Sequence, residues 1–253
     1  MLLDVVKLRI TYGGVVACDN IDLQVNEGSV VGLIGPNGAG KTSFIDALSG
    51  YHTPASGQIV FDGDDITGLP AHKRARRGLA RTFQSVELFD DLSVEENLLV
   101  ASEHVGIGKA IHDLFLPIKR SDRTNTDWAL GVCGLEDVAK TSPAELPHGQ
   151  RKLVGVARAL AQRPRLVLLD EPAAGLDTDE SAVLGGHLRD LPGSGVTVLL
   201  VDHDMGLVLS VCDEVYVLDF GKVIAHGTPD EIRDSESVIT AYLGSRHQAE
   251  QAR

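Results

Sequence analysis

Residues 35–42 read Gly35, Pro36, Asn37, Gly38, Ala39, Gly40, Lys41 and Thr42, the pattern GxxxxGKT, between an apolar run, Ser29 to Ile34, and a segment of helical spacing. Glycines so placed let successive backbone N–H groups turn inward around a chain of phosphates. Lys41 adds a positive charge, and the Thr42 hydroxyl is an oxygen ligand suited to Mg²⁺. The pattern predicts a site for a nucleoside triphosphate.

Farther along, Leu166 to Leu169 run straight into Asp170 and Glu171. Two carboxylates then sit at the C-terminal end of a buried strand, where open α/β sheets place their ligands. One can hold Mg²⁺ through water while the next orients or deprotonates an attacking water.

Such groups need a rigid frame. The runs Ser29 to Ile34, Leu166 to Leu169 and Val196 to Val201 lack two-fold alternation, which suits strands buried on both faces of a mostly parallel sheet. Leu2 to Thr11, Ile21 to Val25 and Gln58 to Phe61 alternate more and are joined by turns such as Gly13–Gly14 and Asp62–Gly63, predicting an antiparallel sheet beside the first. From Val86 to Leu160 the strand signal fades into helical patterns broken at Gly106, Gly108, Pro117, Pro143 and Pro147, which reads as an inserted helical subdomain. Its last helix follows His148 and Gly149, with Leu153, Val156, Ala157 and Leu160 on one face. Thr228, Pro229 and Glu231 form a capping box with proline at the first helical position, opening a short helical tail that ends near Gly244 and frays from Ser245.

The expected organisation is one α/β nucleotide-binding domain over residues 1–253. Its core is 1–85 and 160–221, its helical insert 86–159 and its C-terminal extension 222–253. At 253 residues, 43% hydrophobic and 23% charged, the chain can bury a large core. No apolar run approaches the ~20 residues of a membrane helix. Met1 to Ile10 reads as a first strand and not a signal peptide, so a cytoplasmic location is expected. Cys18, Cys133 and Cys212 lack metal-ligand spacing and read as buried thiols. The net charge of −13 argues against a surface that wraps nucleic acid. One basic cluster, Lys73, Arg74, Arg76, Arg77 and Arg81, is read either as a solvated helix face or as a contact with a partner or phospholipid headgroups.

Taken in order, these motifs resemble the ATP-binding cassette ATPases over nearly the whole chain. The resemblance is carried by an aromatic before the second strand (Tyr12), a glutamine after the phosphate loop (Gln84), a signature loop (Leu146 to Gln150), the pair Asp170–Glu171, the loop Gly175–Leu176–Asp177, and a histidine after a strand (His203). It implies ATP and Mg²⁺ as ligands and ATP hydrolysis as the activity. The phosphate loop with Ser43 would hold nucleotide, Tyr12 would stack on adenine or else simply cover core, and Thr42, Gln84 and Asp170 would serve the metal. Glu171, Gln84 and His203 would act on the lytic water and γ-phosphate.

The signature departs from the family's usual LSGGQ: Pro147 and His148 stand where serine and the first glycine would be, before Gly149 and Gln150. Pro147 removes a hydroxyl and a backbone N–H. The helix beginning near Gly149 would still point its positive end at the γ-phosphate of ATP held mainly by a second subunit, and His148 is either a substitute donor or a surface residue. Within the family, the chain is similar to the ATP-binding subunits of branched-chain amino acid importers. That likeness lies in Arg81–Thr82–Phe83–Gln84 with Leu88 and Phe89, in His203–Val208 leading to Val211–Asp213, in Val217–Ile224, and in the tail residues Glu231–Arg233 and Ala241–Gly244. Urea and short-amide importers use similar subunits, and a soluble cluster-assembly ATPase is the rival from another class.

The resemblance implies two subunits, identical or related, closing head to tail on two ATP molecules. Leu146 to Gln150 and Asp177 of one would then complete the site of the other. It further implies two transmembrane permease subunits, engaged near Gln84 by Val86, Leu88 and Phe89, and an extracytoplasmic substrate-binding protein. The chain would lie on the inner face of the cell membrane, held there by the permeases.

Overall fold

The structure is a computed structural model and describes residues 1–83, 87–102 and 123–242. Two sheets build it. In the first, β1 (Leu3–Tyr12), β2 (Val15–Val25), β4 (Ser56–Phe61) and β5 (Asp64–Asp65) pair antiparallel in the order β2-β1-β4-β5. Asp62 and Gly63, both at positive φ (53° and 81°), make the two-residue turn from β4 to β5 that this dipeptide favours.

The second sheet contains β3 (Val30–Ile34), β6 (Leu79–Arg81), β7 (Leu166–Asp170), β8 (Thr197–Val201), β9 (Glu214–Asp219) and β10 (Lys222–Gly227). Its order is β10-β9-β3-β8-β7-β6, parallel throughout except for β10 on β9. Successive strand side chains point to opposite faces. Val30 and Ile34, Val167 and Leu169, and Val198 and Leu200 therefore enter one core, while Val31 and Leu33, Leu166 and Leu168, and Leu199 and Val201 enter another. The continuous apolar runs follow from this, because both faces of each strand are covered.

The first core is closed by α3 (Val94–Ser102), α4 (Thr124–Cys133), α5 (His148–Leu160), α6 (Thr178–Asp190), α7 (Met205–Val211) and α8 (Pro229–Arg233). The second is closed by the antiparallel sheet and by Phe44, Ile45 and Leu48 of α1 (Lys41–Ser49). The capping box expected at Thr228 and Glu231 is present, with Pro229 opening α8, and residues 236–242 form a last helical stretch. The three cysteines are buried free thiols; burial pushes Cys18 and Cys133 up to about 12. The breaks expected at Gly106, Gly108 and Pro117, and the tail from Gly244, lie outside the described residues.

The basic cluster is neither a uniform solvated face nor a uniform contact surface. Lys73 and Arg76 are exposed, but Arg74, on α2 (Ala71–Ala75), is buried. Its guanidinium donates to the carbonyls of Ala47 and Leu48 at the end of α1 and of Thr67 and Leu69, all at 2.7–2.8 Å. Helix ends leave carbonyls without intrahelical partners. Arg74 satisfies two of them on the helix that follows the phosphate loop.

Candidate phosphate-binding and hydrolytic site

Strand β3 ends at Ile34, the glycine loop turns, and α1 begins at Lys41. Gly40 takes φ 107°, and a Cβ there would come within 2.4 Å of the Ala17 carbonyl, so glycine alone fits. The first turn of α1 carries no acidic side chain, which leaves its N–H groups and positive end available to an anion. A cleft of about 450 Å³ opens over the loop, lined by Asn37, Lys41, Thr42, Ser43, Glu171 and Phe220 among others.

Lys41 is buried, and its Nζ donates to the carbonyls of Gly35 (2.6 Å) and Pro36 (3.1 Å). Burial lowers its pKa, while Glu171, Asp202 and Asp170 oppose that shift. One cation thus lies in the field of the carboxylates at two strand ends.

Asp170 ends β7, and its Oδ2 accepts from Arg81 Nη2 at 2.8 Å. Glu171 follows in the left-handed region, φ 47°, with its N–H donating to Val201 O at 2.7 Å. A non-glycine residue in this region costs of order 1 kcal/mol or more and persists only where the surroundings fix it. Here the end of β8 fixes it.

His203 follows β8, and its Nδ1 lies 3.7 Å from Glu171 Oε1 and 3.6 Å from Asp202 Oδ1. The flanking acids serve the backbone. Asp202 Oδ1 accepts from the N–H groups of His203 (2.7 Å) and Asp204 (2.9 Å), and Asp204 caps α7 through Leu207 N–H. The loop carrying the histidine is therefore rigid at its base while the ring stays half-exposed. Tyr12, at the end of β1, is also half-exposed, its ring 4.4 Å from that of His52.

The signature residues open α5. Leu146 is buried, Pro147 is the N-cap without a side-chain bond, and His148 Nδ1 lies 3.3 Å from Gly175 O. Gly149 N–H donates to Glu180 Oε1 at 3.1 Å. Asp177 caps α6, in a reciprocal capping box with Glu180. Gln84 and Val86 lie outside the described residues.

Lys152, Arg81 and Tyr242 are neighbours of the site to which sequence reasoning gave no place in it. Lys152 is buried on α5, where burial lowers its pKa and Asp202 and Glu171 raise it. A lysine beside Leu153 in an otherwise apolar helical face was the available signal. Tyr242, in the stretch 236–242, packs against the first core; burial pushes its phenol up to about 12, with the Gly35 backbone and the Asp202 charge near it. A larger groove of about 710 Å³ lies apart from the phosphate loop, between Arg81–Phe83, Leu88, Phe89 and α5.

A family model described as ABC transporter matches residues 18–174, and a second, described as Branched-chain amino acid ATP-binding cassette transporter, matches residues 222–248. The high-affinity branched-chain amino acid transport ATP-binding protein BraF of Pseudomonas aeruginosa is 43% identical over 251 residues, covering 96% of this chain and 98% of BraF. The lipopolysaccharide export system ATP-binding protein LptB of Escherichia coli K12 is 38% identical over 238 residues, 94% of this chain and 95% of LptB. Among solved structures, MJ1267, an ATP-binding cassette of an ABC transporter, superposes with a TM-score of 0.84 at 27% identity, covering 95% of this chain and 98% of that one.

Proposed function

This chain belongs to the ABC transporter family of ATP-binding cassettes, and we propose on that footing that it is the ATP-hydrolysing subunit of an importer for branched-chain amino acids. The observation that carries the chemistry is the meeting of Lys41, Asp170, Glu171 and His203 at the ends of three neighbouring strands, beside a helix end suited to phosphate.

In this reading the backbone of residues 35–40, Lys41 and Ser43 hold the phosphates, and Tyr12 stacks on adenine beside His52. Thr42 and Asp170 offer oxygen donors of the kind magnesium takes, one or two from protein with the rest from phosphate and water. The metal, when bound, neutralises charge on the phosphates. Glu171, its backbone locked against Val201, accepts the proton of the attacking water, and His203 contacts the γ-phosphate from a loop whose base Asp202 fixes. Gln84 belongs to the same set by its place in the sequence. Residues 146–150 and Asp177 of a second ATPase subunit face this site.

The groove lined by Leu88 and Phe89 takes one permease subunit, the same groove of the second ATPase subunit takes the other, and an extracytoplasmic binding protein brings the cargo. No helix among the described residues is long and apolar enough to cross a membrane. In this reading the chain rests on the inner face of the membrane through those permeases. The cargo rests on the likeness to BraF and the match over residues 222–248. It is tested by deleting the gene and measuring uptake of radiolabelled leucine and urea at low external concentration. Leucine uptake falls and urea uptake stays; the reverse pattern overturns the cargo and leaves the ATP chemistry standing.

A further inference from the structure

Arg81 ends β6 with its guanidinium between two acids on different elements. Nη1 donates to Asp46 Oδ1 at 2.6 Å and to Ser49 Oγ at 2.9 Å, both on α1; Nη2 donates to Asp170 Oδ2 at 2.8 Å, at the end of β7. The side chain is 8% exposed, and that of Asp170 is 9% exposed. The rings of Tyr51 and Phe83 stand 5.8 and 5.1 Å from the guanidinium carbon and meet each other edge to face, which keeps water off the pair. The neighbouring Thr82 closes the arrangement, since its Oγ1 accepts from Asp170 N–H at 3.3 Å and its own N–H donates to Leu168 O.

Asp46 stands one helical turn after Thr42 on α1. Arg81 therefore joins the helix that carries Thr42 to the strand end that carries Asp170. We propose that Arg81 is a positioning residue that fixes the spacing of Thr42 and Asp170 and so sets the affinity of the site for magnesium. The inference rests on the reading of those two residues as the metal's protein ligands. Its physical basis is the planar fork of arginine, whose two terminal nitrogens reach two separate carboxylates at once; a lysine carries the same charge on a single point and can serve one of them. The fork holds Asp170 by Oδ2, one of its two carboxylate oxygens. Charge alone is not the function proposed, and the span between the two acids is.

The test uses the purified full chain as wild type, Arg81→Lys, Arg81→Gln and Asp170→Asn. Binding of a fluorescent ATP analogue is measured in EDTA and then as Mg²⁺ is added, together with the Mg²⁺ dependence of ATPase activity. In both Arg81 variants the Mg²⁺ midpoint rises about tenfold or more, as for lost outer partners of metal ligands, while affinity for the metal-free analogue holds. Arg81→Lys, which keeps the charge, carries the test if Arg81→Gln does not fold. A midpoint that is unchanged or lowered in Arg81→Lys, with that of Asp170→Asn raised, overturns the role of Arg81 alone. An unchanged midpoint in Asp170→Asn overturns the ligand reading and this inference with it.

Discussion

The N–H of Gly149, in the first turn of α5, is bonded to the carboxylate of Glu180, the same residue that closes the capping box of Asp177 on α6. Pro147 at the N-cap provides no hydroxyl, and Glu180 supplies from the neighbouring helix an acceptor that a serine could have offered locally. One carboxylate thus serves two helix ends.

Glu180→Ala should accordingly lower stability by about 1–2 kcal/mol, read as a shift in the urea midpoint, because both ends lose a partner. Pro147→Ser restores a local cap and a donor, worth ~1.5–3 kcal/mol when it meets a charged phosphate. It should raise the ATPase rate of the assembled complex or leave it level, and a clear fall would show that the proline has a role of its own. His148→Ala is the companion measurement: its ring approaches Gly175 O, and unchanged turnover would limit it to that contact.

Glu171→Gln should keep nucleotide affinity and lower turnover by roughly 10²–10⁴-fold, the usual worth of a general base. Lys41→Ala should instead weaken ATP binding by about tenfold or more, through loss of a charge-assisted bond. Equilibrium binding and steady-state ATPase assays on the two variants separate these effects. Normal turnover in Glu171→Gln would remove its catalytic role.

Assembly should follow the nucleotide. Light scattering should report a monomer without ATP and a shift toward a dimer for Glu171→Gln with ATP. An unchanged monomer at saturating ATP would leave a heteromeric pair as the assembly.

Arg74→Met should cost about 3 kcal/mol or more, since a buried guanidinium that donates to four carbonyls, two of them in buried bonds, is lost. The loss falls on the end of α1, so melting temperature should drop while the ATP affinity of the folded fraction holds.

Much of this was legible beforehand. The phosphate loop, the acid pair and the histidine after β8 were visible because each is short, local and set at a strand end. The unbroken apolar runs announced strands with two covered faces. Less visible were contacts that join distant segments. Arg74 and Arg81 sit in one basic run, and nothing local says that acceptors on α1 claim both of them or that Asp170 at the end of β7 also claims Arg81. Likewise, nothing local says that the two acids flanking His203, Asp202 and Asp204, each accept from backbone N–H groups. Sequence spacing reveals which residue types are adjacent, but not which of two partners a side chain will take.

The central place of β3 bears on the order in which the molecule can be made. Both of its sheet neighbours, β8 and β9, come from the last quarter of the chain. A ribosome that has just finished α6 has already released every residue of the phosphate loop, yet β3 has no strand to pair with. Closing such distant pairings is slow, and the unpaired apolar edge is exposed to aggregation meanwhile. The nascent protein therefore carries its nucleotide motif for most of its synthesis without a nucleotide site, and ATP can assist folding only once β8 and β9 have emerged.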